Sequence, residues 1–470
     1  MKNDDVTDKY CEPIIIASES YVSHLYWLLS STIALMGALI LLKVGGMVTI
    51  SMVGHLGTDE LAGMSLVHML DECLSFCITA GMAATLDTLC GQSWTGTIDK
   101  TVIGLHFQRG LCIYLALYLP VVIFWGGSLI MLQNVNFVGP EVVHYASIYM
   151  SFIIPGSLVY GISYMLGAYL RAQGIMRVSF YGALVSFPVS AITNYVLMAG
   201  HPFSIGIAGA GIANAAASFS VCALSIGYIY WINGSQGWGG WTWDCLRGWI
   251  PTLRLFIPSL LLVILQLALP RLCSLAASRF GAAALGAHFI LLNTNATCIS
   301  FGISLKHAIV TRIGNLMGKG ALADAKRTIM VGNLLALGTG MIVAILLVTF
   351  RSHYPFIFTN DQVTARIVSE SLPLIALIQV FDSLGYNQIG IAYGIGRQRS
   401  TAWITFISYI FIGVPCCYFC AFSLGWSVYG LWMGNVVAEF LVCVLLFLHL
   451  NTLDWSKEAR RIMNQIPKEG

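Results

Sequence analysis

Twelve stretches of this 470-residue chain are apolar for long enough to cross a bilayer as a helix. Crossing the hydrocarbon core takes about 20 mostly apolar residues. Lipid offers no hydrogen-bond partner to a backbone N–H or C=O, so each such run must close its own backbone as a helix. The runs are 28–53, 61–86, 110–132, 143–169, 178–200, 208–232, 253–277, 283–310, 328–350, 366–393, 400–424 and 426–450. Composition agrees, with 57% hydrophobic and 10% charged residues, where a soluble domain carries about 25% charged. The fold class that follows is all-α and polytopic, with about twelve transmembrane helices.

Net charge is +3 and says little by itself; its placement says more. If the N-terminus is cytoplasmic, twelve Lys or Arg fall on the inner side, Lys100, Arg171 and Arg312 among them, and only Arg279, Arg351 and Arg366 on the outer side. Basic residues accumulate on the cytoplasmic side of membrane proteins. The opening MKNDDVTDKYCEPIIIASES lacks the basic start and cleavage site of a secretory signal, and reads as a cytoplasmic tail. No predicted outer loop contains a Cys, and Cys416, Cys417 and Cys420 lie in an apolar run, where Cys is usually a small packing residue.

The sequence repeats itself. Gly57, Leu61, Ala62 and Gly63 match Gly281, Leu285, Gly286 and Ala287. Thr88, Gly91 and Gln92 match Thr311, Gly314 and Asn315; Gly174 and Arg177 match Gly396 and Arg399; Gly206 and Gly211 match Gly425 and Gly430. The offset stays near 220 residues and covers six spans, so both halves cross the membrane in the same sense. The expected organisation is a cytoplasmic tail at 1–27, a six-helix lobe at 28–232, a cytoplasmic loop at 233–252, a second six-helix lobe at 253–450 and a cytoplasmic tail at 451–470. The tryptophans of the central loop, WGGWTW, suit the membrane interface.

Polar residues at membrane depth are costly and point to function. Lys43, Asp71, Glu72, Gln266, Asn293 and Asp382 all fall about ten to fifteen residues from the predicted outer end of their spans, or about 15–22 Å at 1.5 Å per residue. Asp382 is the expected coupling site, since a buried carboxylate can exchange a proton for a cation; Tyr386 lies one turn away and is its expected hydrogen-bond neighbour. Asp71 and Glu72 point about 100° apart on an ideal helix, so one of them is expected to pair with Lys43. His68 reads as a hydrogen-bonded packing residue, and Arg271 as a side chain snorkelling to the interface. No GxxxxGK[ST] loop supports ATP drive, and no HExxH or GxSxG motif supports an enzyme.

Segments along nearly the whole chain resemble, in order, the multidrug and toxic compound extrusion (MATE) family, most of all its animal-type branch. They include MVGHLGTDELAG, LDTLCGQSWTG, IPGSLVYGISYMLGAYLRAQGI, GIAGAGIAN, TRIGNLMGKGALADAKR and LNTLDWSKEA. The resemblance implies two six-helix lobes set in a V. It also implies export of organic cations and drug-like xenobiotics in exchange for protons or sodium, with no other cofactor and no bound metal. The expected partners are such a substrate and membrane lipids, not nucleic acid. The expected state is a monomer, in the plasma membrane. Asp382 occupies the acidic position of span 10, whereas Gln266, Arg271 and Asn293 stand where animal-type members tend to have acids, and Glu72 where relatives usually have a neutral amide. A lipid-linked or polysaccharide flippase, and a member that has lost transport, are the competing expectations.

Overall fold

A computed structural model of the chain describes residues 19–135, 139–199 and 204–465. Among them, twelve helices are long and apolar enough to cross a membrane. They are Tyr21–Gly54, Thr58–Gly96, Val102–Ser128, Pro140–Ala172, Arg177–Met198, Ile207–Trp231, Trp249–Phe280, Ala282–Gly318, Leu322–Thr349, Gln362–Gly394, Gln398–Ser423 and Ser427–Asn451. Each coincides with one predicted run, and they are numbered here as spans 1 to 12. Residues 1–18 and 466–470 of the expected tails lie outside the described residues. Past span 12, a helix at Trp455–Gln465 turns Ala459 and Ile462 into a core shared with Leu28, Leu305 and Ile309.

Spans 2 and 8 run well beyond their predicted C-terminal ends, to Gly96 and Gly318. The added turns carry Gln92 and Ser93 in one and Thr311 and Asn315 in the other, which lowers their hydropathy to that of a loop. They stay helical because they are covered by protein, Gln92 and Ser93 being buried and Thr311 fully so. Arg171 and Arg312, counted with the inner loops, lie within spans 4 and 8 for the same reason, and Arg171 is buried.

Lipid tails are as apolar as leucine, so close packing and buried polar contacts hold such a bundle together. The first half is built around aromatic side chains, with Tyr114, Tyr149, Tyr169 and Trp125 almost wholly buried. Tyr118 meets Trp125 edge to face at 6.1 Å, an arrangement worth about 0.5–1.5 kcal/mol beyond the area covered.

The first helix of each half packs on its own half and also on the other. Span 1 packs on span 8, with Leu28 in the core formed by Leu305, Ile309 and Ile313. Span 7 packs on span 2, with Phe256 in the first half's core. Gly81 is what lets span 7 approach, since a Cβ there would sit 3.0 Å from the Leu260 Cα. Spans 2 and 8 meet where Gly314 lies against Gly91, and a Cβ on Gly314 would lie 3.4 Å from the Gly91 carbonyl carbon. These are the repeat-related glycines, so the seam lies on the pseudo-two-fold axis. Its hydrogen bonds are reciprocal: Gln92 donates to the Gly394 carbonyl at 2.9 Å, and Asn315 to the Ala172 carbonyl at 3.2 Å.

Candidate functional site

Asp382 is buried in the middle of span 10, and its neighbour is a second acid, Glu439 of span 12. Their carboxyl groups are hydrogen-bond partners. Two carboxylates can only accept, so that contact requires a proton between them. The Tyr409 hydroxyl of span 11 donates to Glu439. Tyr409 sits in a π-helical turn, Ile407–Gly413, a distortion that often marks functional positions. Tyr386 stands beside both acids, and no hydrogen bond joins it to Asp382 among the described residues. Asp382 Oδ1 has no hydrogen-bond partner among the described residues. Asp382 is therefore not the lone acid of the second half; Glu439 completes a pair.

The second element is a cavity of about 510 Å³, walled by spans of the first half and by Ser300, Ser304 and His307 of span 8, beside a smaller one of about 310 Å³. Phe76, Tyr160 and Asn214 line both, and form the waist between them. The smaller chamber is lined by Asp71, Glu72 and His68. Ser157 donates to Asp71 at 2.6 Å, and His68 Nε2 bonds the Tyr149 hydroxyl at 3.1 Å, the packing role expected of it. Both acids line the chamber although they are adjacent on span 2, which passes into a π-helical turn at Glu72–Phe76.

The expected pairing of Lys43 with Asp71 or Glu72 does not occur. Lys43 donates instead to the Ala296 carbonyl and, at 2.9 Å, to Ser300 Oγ, both on span 8. Span 8 is interrupted there, at Ile299, between Ala282–Cys298 and Ser300–Gly318. Glu72 pairs with Arg271 of span 7. Arg271 thus reaches across to the other half rather than snorkelling. Of the remaining expectations, Gln266 is half-buried. Asn293 is exposed and donates back to its own helix at Phe289 O, 2.9 Å away. Neither joins the Asp382 pair.

A third cluster joins spans 2, 4 and 8. Asp87 of span 2 is held by Arg171 of span 4 in a two-pronged contact, 3.0 Å from Nε and 3.2 Å from Nη2. His307 of span 8 approaches its other side at 2.9 Å. All three are buried, and the cluster ties the two halves together. The next residue, Lys306, stands 5.6 Å over the Tyr386 ring. Tyr164, which lines the large cavity, contacts His307 at 3.4 Å. Span 8 thus runs from the carboxyl pair to the clamp and the cavity wall. Sequence reasoning passed over Glu439, Asp87, Lys306 and His307. Glu439 alone carried a plain signal, being a single acid in the apolar run VVAEFLVCV.

The description "MatE" belongs to a family model that matches the chain twice, over residues 34–196 and 258–419. The two matches are the two halves of the repeat. The chain is 32% identical to an uncharacterized transporter of Schizosaccharomyces pombe, over 86% of this chain and 74% of that one. It is 26% identical to human multidrug and toxin extrusion protein 1, over 89% of this chain and 74% of that one. Its fold superposes on the eukaryotic MATE transporter AtDTX14 with a TM-score of 0.86 at 22% identity, covering 95% of this chain and 99% of the other. The doubled match and the shared twelve-helix architecture place this integral membrane protein in the MatE family, whose members are multidrug and toxin extrusion transporters and not enzymes.

Proposed function

We propose that the protein is a secondary-active antiporter that exports organic cations and drug-like molecules in exchange for protons by alternating access. The observation that carries this reading is the contact between the Asp382 and Glu439 carboxyls, which needs a proton to exist. A group that holds a proton in one facing state and yields it in the other is what coupling requires. Sodium is the other candidate ion, but the hydrogen bond between the two acids favours a proton.

In this reading residues 28–232 and 253–450 act as two lobes of a monomer in the plasma membrane, with both termini and the 233–252 loop in the cytoplasm. Substrate occupies the cavity beside Asp71 and Glu72. The carboxyl pair communicates with it through span 8. Proton loss leaves two negative charges beside Tyr386 and draws Lys306 toward them. His307, the next residue, then shifts off Asp87 and loosens the clamp.

Efflux of a fluorescent organic cation from proteoliposomes under an imposed pH gradient tests the reading. Wild-type protein should drive efflux, and Asp382→Asn and Glu439→Gln should each stop it while remaining folded. Gradient-driven efflux in both variants would move coupling elsewhere, and its absence in the wild type would sink the antiport reading. A glycan on Asn233 of the Asn233-Gly234-Ser235 sequon would reverse the assigned orientation.

A further inference from the structure

Two ionisable side chains at these cavities, one acidic and one basic, have no ion-pair partner among the described residues. Asp71 lines the smaller chamber, where it is met by Ser157 and Ser75 and by no cation among the described residues. Lys43 lines the larger chamber, where no carboxylate pairs with it among the described residues. The other charges at these walls are already matched, Glu72 by Arg271 and Arg171 by Asp87. A lysine ammonium has three N–H donors. Two of the Lys43 donors are spent on Ala296 and Ser300, which fix its position and leave one free. Between the two charges lies the waist of Phe76, Tyr160 and Asn214.

We infer that Lys43 is a specificity residue, and that the cavity takes substrates bearing an anionic group as well as a cationic one. This rests on the transport reading above and names the substrate class of the same cavity. The ligand's ammonium lies toward Asp71, where two serine hydroxyls and a carboxylate offer acceptors. Its apolar or aromatic body passes the waist against Phe76 and Tyr160, whose ring faces attract the adjoining positive charge. Its carboxylate, or another anionic group, accepts the third Lys43 N–H. Together the chambers enclose about 820 Å³, the two volumes combined, room for a drug-sized molecule. Even a half-buried ammonium without a counter-ion is costly, so Lys43 repels a simple cation and rewards one that brings its own anion.

The test uses two matched probes, a phenylalkyl trimethylammonium ion and the same molecule carrying a terminal carboxylate. In pH-driven proteoliposome transport, the wild type should show a KM at least about tenfold lower for the zwitterion, the effect of roughly 1.4 kcal/mol. Lys43→Met should raise the zwitterion KM by tenfold or more and lower that of the plain cation, while Lys43→Arg should restore the zwitterion preference. Equal treatment of the two probes by the wild type, or parallel changes for both in Lys43→Met, overturns the inference. Binding of the same probes to detergent-solubilised protein separates the two readings. Zwitterion binding that depends on Lys43 without transport sinks the antiport reading and keeps this one, whereas transport of the plain cation alone does the reverse.

Discussion

Where the first half places Asp87 and Arg171, the repeat gives the second half Val310 and Tyr393. Where the second half places Asp382 and Glu439, the first has Tyr160 and Ser220. Other pairs have not diverged: Tyr164 and Tyr386 are equivalent, and each has a cation over its ring, Arg171 at 5.9 Å and Lys306 at 5.6 Å. The Gln92 and Asn315 contacts to main-chain carbonyls are also shared. The difference teaches which features the fold needs twice and which it needs once. Glycines and amides at the seam serve the geometry of the bundle and recur. Buried charges cost desolvation wherever they stand, and each is found only in the half whose task requires it.

The largest effect should come from the carboxyl pair. Asp382→Asn is expected to bring pH-driven efflux down to that of empty vesicles, and Tyr160→Asp, which places an acid at the equivalent first-half position, should not restore it. Restoration would mean that the division of chemistry between the halves is interchangeable.

The clamp comes next. Asp87→Asn leaves Arg171 buried without its counter-charge, and should cost about 3–5 kcal/mol of stability. Giving the first half the second half's residues, Asp87→Val with Arg171→Tyr, should recover most of that loss. Denaturation in detergent reads both. A double variant no more stable than Asp87→Asn would show that the clamp is needed for folding as well as for tying the halves together.

Smaller still are the reciprocal amides. Gln92→Leu and Asn315→Leu each strand a buried carbonyl and should cost about 1–3 kcal/mol apiece, with similar values for the two. Costs that differ severalfold would break the equivalence of the seam. Gly91→Ala should be nearly silent: the nearest atoms to an added Cβ lie 3.9 Å away, and alanine gains about 1 kcal/mol in helix propensity. A marked loss in the same melting experiment would show that the seam slides through a closer approach in another state.

Much of this was legible in the sequence, for reasons that also mark its limits. Hydropathy finds all twelve spans because lipid imposes length and apolarity on each. It misplaces the ends of spans 2 and 8, because Gln92 and Asn315 are covered by protein rather than by lipid. The repeat is readable at Gly91 and Gly314, the pair at which spans 2 and 8 cross glycine against glycine. Asp382 is readable as an acid at depth, and Glu439 obeys the same rule unnoticed. The need of Lys43 and Glu72 for partners follows from burial, but the identity of those partners does not. They lie 257 and 199 residues away, on helices whose neighbours only the tertiary structure fixes.

The bridging of both halves by spans 1 and 7 has a consequence for biogenesis. Chains are made from the N-terminus, and domains generally fold as units while synthesis proceeds. Here that order fails: span 1 enters the bilayer with Lys43 facing lipid or a neighbour until Ala296 and Ser300 have been translated. Asp87 and Arg171 likewise await His307. A nascent chain halted after span 6 is therefore an incomplete object with polar groups exposed at membrane depth, a natural client for membrane chaperones and quality control. Only when span 8 leaves the translocon can either half finish.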